Sequence, residues 1–190
     1  EPHPRTLFKP ESPGFRLTPE HLKARVMEAV GLDGLLVMDF IRDLAGTEAI
    51  DFVKDHMLGA AGASHIVSGY DFHFGKNRAG SPEFLKECGE NLGFGVTIVE
   101  LQSNGGEEPV SSSIIRRRLG DGDVETAAEQ LGYRWIVAGE VVKGAQLGRT
   151  LGYPTANIVP PESCHLAHGI YAVRLRRADG SLHDGVASFG

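Results

Sequence analysis

Leu22, Val26 and Val30 recur every four residues behind Thr18-Pro19, and Gly31 follows. That spacing predicts a helix with Thr18 as N-cap, proline at the first helical position and Gly31 as the stop. The nearly continuous apolar run GLLVMDF (34–40) predicts a short strand buried on both faces. A second helix is expected from Thr47, with Ile50, Val53 and Met57, joined by Phe52, as its core stripe. SHIVSG (64–69) then reads as a strand, Ser81-Pro82 as the cap of a third helix through Leu85, Cys88 and Leu92, and GVTIVEL (95–101) as a further strand. Helices alternating with strands predict a parallel sheet covered by helices.

The pattern changes near residue 110. SSSIIRRRLG (111–120) and DVETAAEQLG (123–132) predict two short helices, the second capped by Asp123. From Trp135 onward the periodicity is that of strands: WIVAGEVV (135–142), TANIV (155–159) and GIYAVRLRRADGSLHDGVASF (169–189), with ADGS as a hairpin turn. An α/β portion followed by an all-β portion implies two domains with a boundary near residue 133.

At 190 residues the chain is long enough for two small domains, each with a usable core. A formal net charge of −6 leaves no basic excess to replace phosphate counterions, which argues against a nucleic-acid partner. No apolar run approaches the ~20 residues of a membrane-spanning helix, so no membrane partner is expected. Cys88 and Cys164 lie far apart and outside any C-x-x-C pair, as suits a reducing cytoplasm.

Candidate chemistry concentrates in four stretches. In GEVVKGAQLGRTLGYPTANI (139–158), Thr155 and Asn157 occupy positions i and i+2 of an extended segment and therefore share a face. A hydroxyl and an amide carbonyl are hard oxygen donors, suited to Mg²⁺ that keeps its waters and its substrate phosphates. In PVSSSIIRRR, reached from the preceding strand through QSNGGEE, Ser111, Ser112 and Ser113 open a helix carrying Arg116, Arg117 and Arg118. Two readings stand there: a phosphate site at a helix N-terminus, or a serine N-cap with a solvated arginine face. GYDFHFGKNRAG (69–80) either buries Phe72 and Phe74 in a turn or sets Asp71 against a nucleotide or flavin. His3, stiffened by prolines in EPHP, serves either loop packing or catalysis. CHLAH (164–168) lacks the second half-site that a structural zinc needs, and no Walker-type G-x-x-x-x-G-K-[ST] occurs.

EPHP, GYDFHFGKNRAG, VSSSIIRRRLGDGDVETAAEQLGY and GEVVKGAQLGRTLGYPTANI, in this order and spacing, resemble the bacterial bifunctional riboflavin kinase/FMN adenylyltransferase family, also called FAD synthetase. The G-R-x-L-G-[FY]-P-T-A-N run is the most specific element, and SSS-x-I-R is similar to the family's S-S-T-x-I-R. The resemblance implies an α/β nucleotidyltransferase domain with a Rossmann-like parallel sheet over residues 1–133. A β-barrel riboflavin kinase domain over residues 134–190 would follow, both domains being incomplete. No H-x-G-H loop occurs in the sequence, and the family's kinase domain continues beyond the equivalent of residue 190 to a general-base glutamate. The implied activities are phosphorylation of riboflavin to FMN and adenylylation of FMN to FAD, with ATP as co-substrate and Mg²⁺ as cofactor. Thr155 and Asn157 would engage Mg²⁺ and ATP phosphates, with Gly144, Gly148 and Arg149 along the nucleotide. Ser111, Ser112, Ser113 and Arg116 would hold ATP phosphates in the adenylyl step, and Asp71 falls in the family's ATP- and flavin-site loop. Ser112, Arg116 and His3 are the catalytic candidates. The alternatives are an inactive flavin- or nucleotide-binding fragment and an adenylyltransferase without kinase activity.

Overall fold

The computed structural model describes residues 1–11, 15–101, 109–144, 147–150, 152, 153, 155–160 and 164–190, without the side chains of Leu147 and Arg149. The predicted loop QSNGGEE lies outside these residues. The chain forms two compact units, Glu1–Gly14 with Met27–Pro109, and Phe15–Val26 with Val110–Gly190.

The first unit is organised around a β–α–β connection. Strands β1 (His65–Gly69) and β2 (Gly95–Val99) run parallel, with His65 opposite Gly95 and Gly69 opposite Val99. A parallel pair needs a crossover, and helix α5 (Pro82–Leu92) supplies it. As the sequence predicts, Ser81 caps α5 by accepting from the Phe84 amide at 3.2 Å, with Pro82 at the first turn. The core joins Leu85 and Cys88 of α5 to Ala49, Val53, Phe74 and Phe94. Val53 follows helix α4 (Ala49–Asp51), which passes directly into a π-helical stretch, Phe52–Ala60. Two short helices come earlier in the unit, α1 (Pro4–Phe8) and α3 (Arg42–Ala45).

Helix α2 (Glu20–Ala29) appears where the apolar spacing places it, but its start differs. The amides of Leu22 and Lys23 bond the Pro19 carbonyl, while the Thr18 hydroxyl meets the Tyr133 hydroxyl at 2.9 Å. Leu22 is buried and Val30 is 70% exposed, so the four-residue stripe is buried only at its N-terminal end.

In the second unit, helices α6 (Ser112–Gly120) and α7 (Val124–Leu131) pack through Ile115, Leu119 and Ala127 onto Phe15 and Leu17. Asp123 caps α7 by accepting from the Thr126 amide at 3.2 Å. Antiparallel pairs follow: β3 (Val141–Val142) with β4 (Asn157–Ile158), and β5 (Gly169–Arg176) with β6 (Leu182–Phe189). A helical turn, α8 (Leu147–Thr150), lies between β3 and β4. The predicted hairpin forms, closed by Arg177 N–H to Ser181 O at 2.9 Å.

Several predicted strands are shorter or missing. GLLVMDF belongs to no strand; Leu36 and Val37 are exposed, and the backbone of Met38 and Phe40 bonds Glu1 instead. An apolar run becomes a strand only when another strand pairs with it, and none of the described sheets includes this stretch. WIVAGEVV keeps only Val141 and Val142 in a ladder, and TANIV only Asn157 and Ile158. Each described sheet has two strands, and no closed barrel exists among the described residues.

Candidate functional site

In the most specific stretch of the sequence, two polar side chains each lie against a glycine. Asn157 pairs with Val142 across the β3–β4 ladder, and its amide lies against Gly144. Thr155 lies against Gly148, in the α8 turn. A Cβ at Gly148 would stand 2.5 Å from Thr155 Oγ1 and collide with the Tyr153 carbonyl; a Cβ at Gly144 would collide with the Asn157 amide. At Gly148 the backbone carbonyl of Tyr153 therefore demands glycine by close approach, whereas at Gly144 only the Asn157 side chain would have to shift. Thr155 and Asn157 are exposed, and the Thr155 hydroxyl donates to the Tyr153 carbonyl at 3.2 Å. Donating its proton leaves the hydroxyl's lone pairs as acceptors. An exposed hydroxyl and an exposed amide oxygen are a donor set that fits Mg²⁺. Arg149 contributes backbone to α8, and its side chain lies outside the described residues.

Ser111 caps α6, its hydroxyl accepting from the Ile114 amide at 3.3 Å. The N-cap reading of this serine is thus realised. Ser112 and Ser113 stand exposed in the first turn, where helix N–H groups carry partial positive charge. Arg116 is half-buried and donates from Nε to the Phe15 carbonyl at 2.6 Å, one of its five N–H donors. Arg118 reaches Asp123 at 3.7 Å, tying α6 to the cap of α7.

Asp71 follows β1 and is exposed, and its carbonyl accepts from His73 Nδ1 at 2.9 Å. Phe74 is buried and stacks on Phe72 with centroids 5.3 Å apart, so the packing reading of these aromatics holds. The same loop is pinned to the start of α4 by Lys76 N–H to Thr47 O and by Lys76 Nζ to Glu48 Oε1, both 2.8 Å. The hydrogen bond that Lys76 donates to Glu48, and then the Glu48 charge, hold the Lys76 ammonium pKa above its ordinary value. His3 caps α1 by accepting from the Arg5 amide at Nδ1, 3.1 Å, which sets the neutral ring's proton on Nε2.

The structure therefore joins Gly144 to Asn157 and Gly148 to Thr155, and sets Ser111, Ser112, Ser113 and Arg116 on one short helix. His3 and Asp71 belong to the other unit. The sequence gives no role to Phe15–Leu17, whose carbonyls accept from Arg116 and Trp135, nor to the long-range bond between the Thr18 and Tyr133 hydroxyls. The signal available was the alternation of Phe15 and Leu17 just before a helix start.

Residues 1–114 match the FAD synthetase family and residues 131–190 match riboflavin kinase. The chain belongs to the FAD synthetase family. The bifunctional riboflavin kinase/FMN adenylyltransferase of Escherichia coli (strain K12) is 33% identical over 190 residues. Those of Listeria monocytogenes and Pseudomonas fluorescens are each 35% identical, over 192 and 190 residues. All of this chain is covered in each case, and the chain spans 60% of the length of these relatives. Among solved structures, the crystal structure of a macrolide-efflux protein from Streptococcus pneumoniae aligns with a TM-score of 0.77 at 30% identity. That alignment covers 92% of this chain and 55% of the other. No helix among the described residues is long and apolar enough to cross a membrane.

Proposed function

We propose that the chain is part of a cytoplasmic enzyme of FAD biosynthesis that phosphorylates riboflavin to FMN with ATP and adenylylates FMN to FAD, releasing pyrophosphate. Residues 1–133 form the adenylyltransferase portion, with a nucleotidyltransferase sheet, and residues 134–190 the riboflavin kinase portion, with a β-barrel. The order of the two family matches supports this division, as do the parallel β1–α5–β2 unit and the antiparallel pairs near the C-terminus. The observation that carries the reading is the seating of Thr155 on Gly148 and of Asn157 on Gly144, within the stretch that matches riboflavin kinase.

Thr155 and Asn157 would hold Mg²⁺, which when bound neutralises charge on the ATP phosphates. Gly144, Gly148 and Arg149 lie along the nucleotide, the glycines letting backbone N–H groups come close to phosphate oxygens. In the adenylyl step, the first-turn amides of α6, the hydroxyls of Ser112 and Ser113 and the Arg116 guanidinium hold the ATP phosphates. Ser111 contributes by fixing the start of that helix. Asp71 faces nucleotide or flavin, and His3 acts on the reacting phosphate. Neither transfer needs a covalent protein intermediate, because in-line displacement runs on positioning and on charge stabilisation of the leaving oxygen. Small molecules are the only substrates this chemistry requires.

Incubating the full-length protein with riboflavin, ATP and Mg²⁺, then separating flavins by chromatography, tests the proposal. FMN followed by FAD is expected. Recovery of unchanged riboflavin, together with failure to convert supplied FMN, would remove it.

A further inference from the structure

Arg116, Tyr133 and Trp135 all bond one four-residue segment that lies outside the stretches containing the candidate motifs. Phe15 O accepts from Arg116 Nε at 2.6 Å, Leu17 O accepts from Trp135 Nε1 at 2.9 Å, and the Thr18 and Tyr133 hydroxyls meet at 2.9 Å. Phe15 is 6% exposed, its ring set edge-on to Trp135 at 5.7 Å and to His165 at 6.0 Å. Leu17 is buried beside it, in a cluster that includes Ile115 and Leu119 of α6. The segment is thus held at alternating backbone carbonyls, from α6 at one residue and from the indole two residues on. Trp135 and His165 lie in the stretch matching riboflavin kinase, whereas Phe15 and Leu17 lie in the stretch matching FAD synthetase.

A guanidinium that gives Nε to a fixed carbonyl has its plane set by that carbonyl, leaving its terminal nitrogens to present a forked face to an anion. The carbonyl is fixed in turn by whatever fixes the Phe15–Leu17 backbone. The indole N–H is the polar anchor of that backbone, and the edge-on ring pair is its apolar one. We propose that Trp135 is a positioning residue for Arg116: acting through Phe15–Leu17, it aims the guanidinium at the phosphates of the nucleotide. This rests on the reading of Arg116 as a phosphate-binding residue given above. A side chain matched to one catalytic portion thereby tunes the reaction assigned to the other.

Trp135→Phe keeps an aromatic ring against Phe15 and removes only the N–H. In the full-length protein this variant should raise the KM for ATP in FMN adenylylation by roughly two- to tenfold, the equivalent of one lost hydrogen bond, with kcat nearly unchanged. Riboflavin phosphorylation by the same preparation, within about twofold of wild type, serves as the folding control. Trp135 also supplies a spectroscopic readout, since it is the only tryptophan of this chain. Titrating inorganic pyrophosphate while following binding by calorimetry should shift the wild-type-minus-variant tryptophan emission in step with binding. Phe15→Leu should bind pyrophosphate with a smaller shift.

An unchanged KM in Trp135→Phe, an equal loss of both reactions, or pyrophosphate binding with silent emission would overturn the positioning role. Absence of pyrophosphate binding would overturn the phosphate role of Arg116 and the positioning role with it. Binding with a shift in a protein that makes no FAD would retain the coupling and refute only the assigned reaction.

Discussion

Gly148 has no side chain because Thr155 and the Tyr153 carbonyl occupy the space where one would go. Gly148→Ala must displace the backbone carbonyl or the threonine that the proposed kinase site uses. Under the proposed function FMN formation should fall by about tenfold or more, the scale of misplacing a positioning group, with FAD formation from supplied FMN retained. Comparing the two rates in one preparation checks this. The cysteines give a second prediction at this scale. Burial is the leading cause of the raised pKa of the Cys88 thiol, so less of it is thiolate near neutral pH than in an ordinary cysteine. Cys164 is partly exposed, so a limiting dose of iodoacetamide should label Cys164 first and reach Cys88 only on unfolding, as read by peptide mass spectrometry.

Helix ends are the elements most legible in this sequence, because a cap is a local contract between a side chain and the next turn. Ser81, Ser111 and Asp123 all cap helices in the structure, each accepting from an amide three residues on. Asp123→Ala should lower stability by about 0.5–2 kcal/mol through the lost cap, and Asp123→Asn by less, since the amide oxygen can also accept. Thermal melts of both variants check the order. Strands were less legible, since their ladders depend on a partner that the segment itself does not encode. GLLVMDF and WIVAGEVV have strand composition, yet the first has no ladder and the second keeps two residues of one. Long-range polar bonds escaped for the same reason. Nothing near Phe15 in sequence announces Arg116 or Trp135, 101 and 118 residues from the carbonyls they bond. The Gly144–Asn157 and Gly148–Thr155 contacts were legible only as a motif. The sequence says that these glycines allow a close approach; the structure adds that Asn157 lies against Gly144 and Thr155 against Gly148.

Across the whole chain, division by contacts does not follow chain order. Phe15–Val26 packs with Val110–Gly190, although it falls within the stretch that matches FAD synthetase. Under the proposed function, the two family matches in series correspond to two sites whose activities single substitutions can separate. Arg116→Ala should reduce FAD formation while sparing riboflavin phosphorylation, a direction opposite to that of any change at Thr155. The most direct measurement is chromatographic quantification of FMN and FAD made by full-length Thr155→Ala, supplied with riboflavin in one reaction and FMN in the other. The account predicts that FMN formation from riboflavin drops by about a hundredfold, the scale of losing a preorganised charge-stabilising contact, while FAD formation from FMN stays within about twofold. FMN production at the wild-type rate would contradict it.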